Sequence, residues 1–415
     1  VTSTPVLDLD RMRKLFDLRG GFFELNGGWF EDDPYPIWRD LRERAPVHAG
    51  TVHELSGLDR PALFHGLPYP ELPHYSVFSY QACDGAYRDA KAFASAPVAE
   101  KMDQEEVSAL NSMLSMDGAH HRRYRSLVQP SFVPSKAQWW IRNWIEQTVH
   151  LLIDHFEGSG RAELNVDFCA AIPVLTITGS FGVPVEQALD IREALHQPAE
   201  LVEMIKPIVA SRREAPQDDL ISVLVEAEIE GEDGTTQRLS DTEIYSFAAL
   251  LLAAGSGTTW KQMGTTLAAL VQRPEVLRAV TADRELLRPA IEESLRWMPT
   301  DPMFSRWATQ DIDFYGTSIP KGAVVHICLG AANRDPVRWD HPDEYDVYRD
   351  MKPSLSFGNG PHICLGMHVA RAEMLVGIGA LLDRLPNLRL DPDQAPPRYV
   401  GFYERGASAI PVLFG

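Results

Sequence analysis

The chain has 415 residues, 45% hydrophobic and 23% charged, the composition of an ordinary globular protein long enough to build a large core. Its formal net charge of −19 disfavours nucleic acid as a partner, because phosphate binding relies on Lys and Arg. No uninterrupted apolar run approaches the roughly 20 residues of a membrane span. The four cysteines, Cys83, Cys169, Cys328 and Cys364, are far apart with no Cys-x-x-Cys pairing, which argues against a disulfide framework or a structural zinc and suits a reducing cytoplasm.

The first residues, Val1 to Asp8, carry no basic-then-apolar signal pattern and no starting methionine, as a processed or trimmed end would. Residues 35–45 read as an amphipathic helix with a Pro near its start. Tyr75–Tyr80 alternates like a strand, with a helical stretch after it to Arg88, and the pattern loosens into a loop between Phe93 and Leu114. Ala119–Val128 is basic and helical, ended by Pro130 and Pro134. Helical patterns fill 137–156, 168–181 and 186–228, interrupted by Pro173, Pro184, Pro198, Pro207 and Pro216. A turn at Gly231–Gly234 precedes Ser240-Asp-Thr-Glu243, which has capping-box spacing.

The longest pattern, from about Asp241 to Val271, is apolar nearly all round and so belongs in the middle of a domain. A further helix spans about Glu285–Trp297. Strand-like runs follow at 304–308, 312–315 and 323–329, with last strands near Tyr399–Glu404 and Ile410–Phe414. No internal repeat or Gly/Ser linker divides the chain, so residues 1–415 are expected to form one mainly α domain with a small β region.

Four stretches carry chemistry. Phe357-Gly-Asn-Gly-Pro-His-Ile-Cys-Leu-Gly366 sets one cysteine in a glycine-rich turn ahead of a helical pattern to Arg384. A thiolate is favoured beside the positive end of a helix, and it can hold haem iron; a buried, inert cysteine in a helix-capping loop is the plainer alternative. Glu293-Ser-Leu-Arg296 pairs a carboxylate and a guanidinium one turn apart, which by itself is usually a solvated surface contact. His121-x-x-x-Arg125 puts two basic groups on one helix face, and a solvated basic helix would look the same. Ala254-Gly-Ser-Gly-Thr-Thr259 supplies small residues that admit either a flat cofactor or a closely packed helix.

The spacing Phe-x-x-Gly-x-x-x-Cys-x-Gly resembles the haem loop of the cytochrome P450 family, and matching segments follow in family order over nearly the whole chain. The resemblance implies the cytochrome P450 fold, with a long central helix over haem b (iron protoporphyrin IX). It implies Cys364 as the iron ligand within a loop that includes Phe357, Gly360, His362 and Gly366. His121, Arg125, Arg306 and His362 match positions that bind the haem propionates. Glu293 and Arg296 match the structural Glu-x-x-Arg pair; Glu344 stands where the family has its third partner, an arginine, and Arg349 is close enough to substitute. Thr258 matches the threonine that assists oxygen activation, whereas Gly257 replaces the acid beside it. Leu250, Ala254, Met303 and Ala407 match positions lining the substrate pocket.

The function implied is a cytoplasmic haem-thiolate monooxygenase that inserts one oxygen atom from dioxygen into a small, largely apolar substrate. Without an anchor or fused reductase, electrons are expected from a ferredoxin and its NAD(P)H-dependent reductase, with Arg122 and Arg123 as a docking patch. Gly257 leaves three routes for protons: Ser256 or a water chain, a polar group on the substrate, or peroxide as the natural oxidant. A peroxide-driven peroxygenase is therefore the alternative, with a haem-binding sensor or sequestering protein as the reading from another class. The lid between Pro184 and Arg213 is short for the family, either truncated or lacking residues in this chain.

Overall fold

The computed structural model describes residues 8–18, 30–58, 69, 71–96, 113–195, 197–230 and 236–415. The first seven residues, most of the loop expected between Phe93 and Leu114, and the turn expected at Gly231–Gly234 lie outside them. A five-stranded sheet is built from β1 (Val47–Ala49), β2 (His74–Val77), β3 (Phe93–Ala94), β4 (Phe304–Ala308) and β5 (Val324–Ile327). Their order is β1-β2-β5-β4-β3. Only the β2–β5 pairing is parallel, with Val325 beside Tyr75. The alternation read at Tyr75–Tyr80 is therefore a strand that starts and ends a little earlier, because Ser79 caps the helix that follows.

Seven helices organise the site: α1 (Gly118–Val128), α2 (Ala171–Ser180), α3 (Ala188–Ala194), α4 (Pro198–Glu214), α5 (Asp241–Val271), α6 (Leu287–Trp297) and α7 (Met367–Arg384). The central helix, α5, spans the 31 residues its pattern predicts. It starts at the capping box: the Ser240 hydroxyl accepts from the Glu243 N–H, and the Ser240 N–H donates to Glu243 Oε2 at 2.8 Å. From Ser256 to Val271 nearly every residue is buried. Each fully buried Leu or Met there stabilises the fold by about 1.5–3 kcal/mol.

Prolines mark the lid differently from expectation. Pro198 opens α4 as its first residue, where its missing N–H costs nothing, and Pro207 lies inside the same helix without ending it. Leu201, Ile205, Val209 and Arg212 form one buried stripe at helical spacing, and that packing outweighs the hydrogen bond lost at Pro207. The chain closes with a two-stranded hairpin, Tyr399–Val400 against Gly406–Ala407, and a small sheet in which Pro411–Leu413 lies between Arg161–Glu163 and Arg389–Leu390. Among the described residues no helix is long and apolar enough to cross a membrane.

Candidate haem site

The cysteine loop is shaped by its glycines. Gly358 and Gly360 adopt φ of 68° and 72°, and a Cβ on Gly360 would collide with the Tyr87 carbonyl. The Cys364 N–H donates to the Phe357 carbonyl at 2.8 Å, folding the loop back on itself. Asn359 pins its outer edge, accepting from Gly360 N–H at 2.7 Å and donating to Asp84 at 2.6 Å. Gly366 is the N-cap of α7, so the helix begins at Met367, three residues past the cysteine.

Cys364 has exposed surface yet lies deep among protein atoms, the combination of a side chain facing an internal cleft. Burial pushes its thiol up, against the opposing pull of the Gly366 N–H, Arg125 and Arg371. Desolvation and the helix end therefore act on this thiol in opposite directions.

The four basic groups expected at the propionates surround this loop. Arg125 on α1 donates to the carbonyls of Pro361 (3.2 Å) and Ile363 (2.7 Å). His121, one turn earlier, stacks on His362 with ring centroids 4.0 Å apart. Burial, with His362 and Arg125 nearby, holds His121 down to about 4, and its Nε2 is buried without a hydrogen-bond partner among the described residues. His362 Nε2 lies 3.4 Å from Asp117, whose carboxylate also accepts from the N–H groups of Ser95 and Ala96. Arg306 on β4 spends one N–H on the Ser305 carbonyl and lies over Tyr87, the residue packed against Gly360. A deep thiol, an orphaned imidazole nitrogen and two partly buried guanidiniums fit a flat iron cofactor with two carboxylates.

The remaining candidate residues lie on or near α5. Two glycines there have opposite reasons. A Cβ on Gly255 would meet Ile177 of α2 at 2.8 Å, so Gly255 serves close helix packing, whereas a Cβ on Gly257 would meet none of the described residues within 4 Å. Ala253 and Ala254 are exposed on a helix otherwise mostly buried, leaving one face open; Thr258 and Leu250 are partly buried beside it. Met303 and Ala407 have no accessible surface and sit in the core. Ser256 is buried and accepts from Arg192 of α3 at 3.2 Å.

The proximal scaffold is tightly bonded. Glu293 and Arg296 form a two-pronged buried pair, both contacts 2.7 Å. Arg349 completes it, Nε donating to Glu293 Oε1 at 3.0 Å, while Glu344 offers Arg296 only its backbone carbonyl at 2.9 Å.

Sequence reasoning missed one group of residues. Lys261 lies on α5 one turn past Thr258, fully buried, and is ion-paired with Glu404 of the terminal hairpin. Asp301 and Arg192 lie within electrostatic reach of that pair. A lysine inside an apolar helix was the available signal.

A family model described as cytochrome P450 matches residues 180–401. The chain is 31% identical to the polyketide biosynthesis cytochrome P450 PksS of Bacillus subtilis, covering 94% of this chain and 98% of that protein. It is 30% identical to the biotin biosynthesis cytochrome P450 of the same organism, over 87% of this chain and 91% of the other. Among solved structures, P450BioI in complex with an acyl carrier protein ligated with hexadec-9Z-enoic acid is similar at a TM-score of 0.78 and 30% identity, covering 92% of this chain and 99% of that one.

Proposed function

We propose, from the premise that this chain belongs to the cytochrome P450 family and is a haem monooxygenase, that Cys364 is the residue that holds its iron. The observation that carries this assignment is the deep but accessible Cys364 thiol, ringed by Arg125, His121, His362 and Arg306. Bound haem b would supply the chemistry, the reductive activation of dioxygen and transfer of one oxygen atom to an organic substrate. The protein's own part is to bind, orient and exclude water. Phe357, Gly360 and Gly366 shape the loop so that the backbone comes close to the ring. Arg125 and Arg306 neutralise the propionates; His121, held neutral at pH 7, serves as a hydrogen-bonding partner.

On the opposite side, Ala254 and Leu250 offer an apolar wall and Thr258 a hydroxyl toward the reacting oxygen, with Met303 and Ala407 backing that wall. Such a wall suits a largely apolar substrate, of the character of the acyl chain held in the P450BioI complex. Electrons come from a ferredoxin and its NAD(P)H-dependent reductase, with Arg122 and Arg123 on α1 as the docking patch. The open space at Gly257 favours a second reading, a peroxide-driven peroxygenase, because no acid stands there to manage protons.

Two measurements test this. Reduced, carbon monoxide-treated protein should show the red-shifted Soret band of thiolate ligation, and Cys364→Ala should abolish it; an unchanged band in the variant rejects the assignment. Product formed with reduced ferredoxin, against product with peroxide alone, decides between monooxygenase and peroxygenase.

A further inference from the structure

We infer that Arg371 and Glu292 are an opposed pair of charges that set how readily the bound iron accepts its electron, Arg371 favouring reduction and Glu292 opposing it. The inference rests on the reading of Cys364 as the residue that holds the iron, and adds two residues that act on the electron-accepting step.

Arg371 lies in the second turn of α7, and its guanidinium makes two contacts at once. Nε and a terminal nitrogen donate to the two oxygens of Glu292 on α6, at 2.5 and 2.9 Å. The guanidinium carbon also lies 4.6 Å from the centre of the Phe357 ring, within the range of a cation–π contact. A two-pronged carboxylate fixes the plane of an arginine, so the charge is held in one place over the ring. Phe357 is in turn the residue whose carbonyl accepts from the Cys364 N–H at 2.8 Å. Arg371 thus rests on the loop that carries the sulfur, and this chain of contacts keeps its charge within roughly 20 Å of that atom.

An ion pair that only ties two helices together usually faces water, which screens it. Here the Arg371 side chain is 24% exposed and that of Glu292 19%, so solvent screens the pair only in part. The Arg371 charge is felt at the sulfur, where it opposes burial together with Arg125. Arg125 already has a task, since it donates to Pro361 and Ile363 in the group of residues read as propionate partners. Arg371 has none in that set. His368, three residues earlier on α7, is held below its ordinary value by burial and then by Arg371 and Arg288, so at mildly alkaline pH it adds no charge of its own.

Charge sets the direction. Uptake of one electron from the carrier adds one negative charge at the site and breaks no bond. A fixed positive charge favours that step and a fixed negative charge opposes it. At an effective dielectric of about 20, a unit charge about 12 Å away shifts such an equilibrium by about tenfold, and one about twice as far by about threefold. Removing the Arg371 charge should therefore lower the equilibrium constant for reduction about three- to tenfold, which is about 30–60 mV for one electron. Removing the Glu292 charge should raise it by about twofold or more. The second effect is the smaller because Arg371 is the partner that rests on Phe357.

The test is a spectroelectrochemical titration of haem-loaded protein at mildly alkaline pH, comparing the unaltered chain with Arg371→Gln, Arg371→Lys and Glu292→Gln. Arg371→Gln should lower the potential and Glu292→Gln should raise it. Arg371→Lys keeps the charge without the planar fork, and should stay within about twofold of the unaltered protein. A purely structural pair gives a different pattern, because losing either partner loosens the same loop and moves the potential the same way. Shifts of the same sign overturn the inference, as do shifts below about twofold in both neutral variants, or a lysine variant displaced as far as the glutamine one. If Arg371→Gln does not take up haem, the other two decide: a raised potential in Glu292→Gln with an unaltered one in Arg371→Lys supports the inference, and any other result rejects it. The carbon monoxide band keeps the two readings apart. Unaltered protein without the red-shifted band rejects Cys364 as the ligand and this inference with it, whereas a normal band with shifts of one sign rejects this inference alone.

Discussion

Replacing either partner of the Lys261–Glu404 pair should destabilise the protein strongly, and replacing both should not. Lys261 is fully buried and the Glu404 side chain is 9% exposed, so a survivor has no route to water. Breaking such a pair from one side typically costs about 3–5 kcal/mol, whereas an apolar replacement of both is often neutral or stabilising. The neighbours predict an asymmetry. Burial and then Glu404 raise Asp301 to about 7, while Lys261 pulls the other way. In Glu404→Met, Asp301 loses its repelling neighbour, ionises more readily and partly compensates Lys261, which places the loss near 3 kcal/mol. In Lys261→Met two carboxyls lose their cation, and the loss falls near 5 kcal/mol. Urea unfolding followed by circular dichroism at neutral pH, on both single variants and the double, gives the coupling energy. If either single variant loses less than about 1 kcal/mol, or the double loses the sum of the two, the pair is not the buried, mutually dependent unit its burial implies.

Other expectations follow from individual contacts. Gly257→Asp starts without a clash at its Cβ, which would have none of the described residues within 4 Å. If proton supply limits turnover, the variant should raise product formed per reducing equivalent several-fold, within the ~10²–10⁴ that a positioned acid contributes; an unchanged ratio rejects that. Arg349→Ala removes a guanidinium from buried Glu293 and should cost about 1.5–3 kcal/mol and speed haem loss, read by transfer of haem to an acceptor globin. Burial raises Glu373 on α7 from 4.5 to about 8, against the pull of Thr176. The folded state then holds a proton that the unfolded state has lost, so stability falls as pH rises from about 4.5 and levels off above 8, by roughly 5 kcal/mol in all. Glu373→Gln should remove that part of the slope; denaturant midpoints from pH 5 to 9 check it.

Local signals in the sequence carried further than tertiary ones. Ser240 and Glu243, three residues apart, announce the start of α5, and the apolar run behind them announces its burial. The glycines around Cys364 announce a loop whose backbone must turn left-handed. Pro207 misled because its helix-breaking tendency is local, whereas the buried stripe of α4 that overrides it depends on what lies opposite. Lys261 and Glu404 are 143 residues apart, and no periodicity links them. The depth of Cys364, which sets its proton affinity against the helix end, depends on the whole fold and is written in no single stretch.

The bond from Arg349 to Glu293 has a consequence for how such chains are compared. The guanidinium that meets this carboxylate is supplied five residues beyond Glu344, the column where an alignment would look for it, and that column contributes only a backbone oxygen. A position-by-position comparison would score the contact as lost. In space it is intact, served by a different residue along the same loop. What the fold needs here is a positive charge at one place beside Glu293, and this chain supplies it from Arg349.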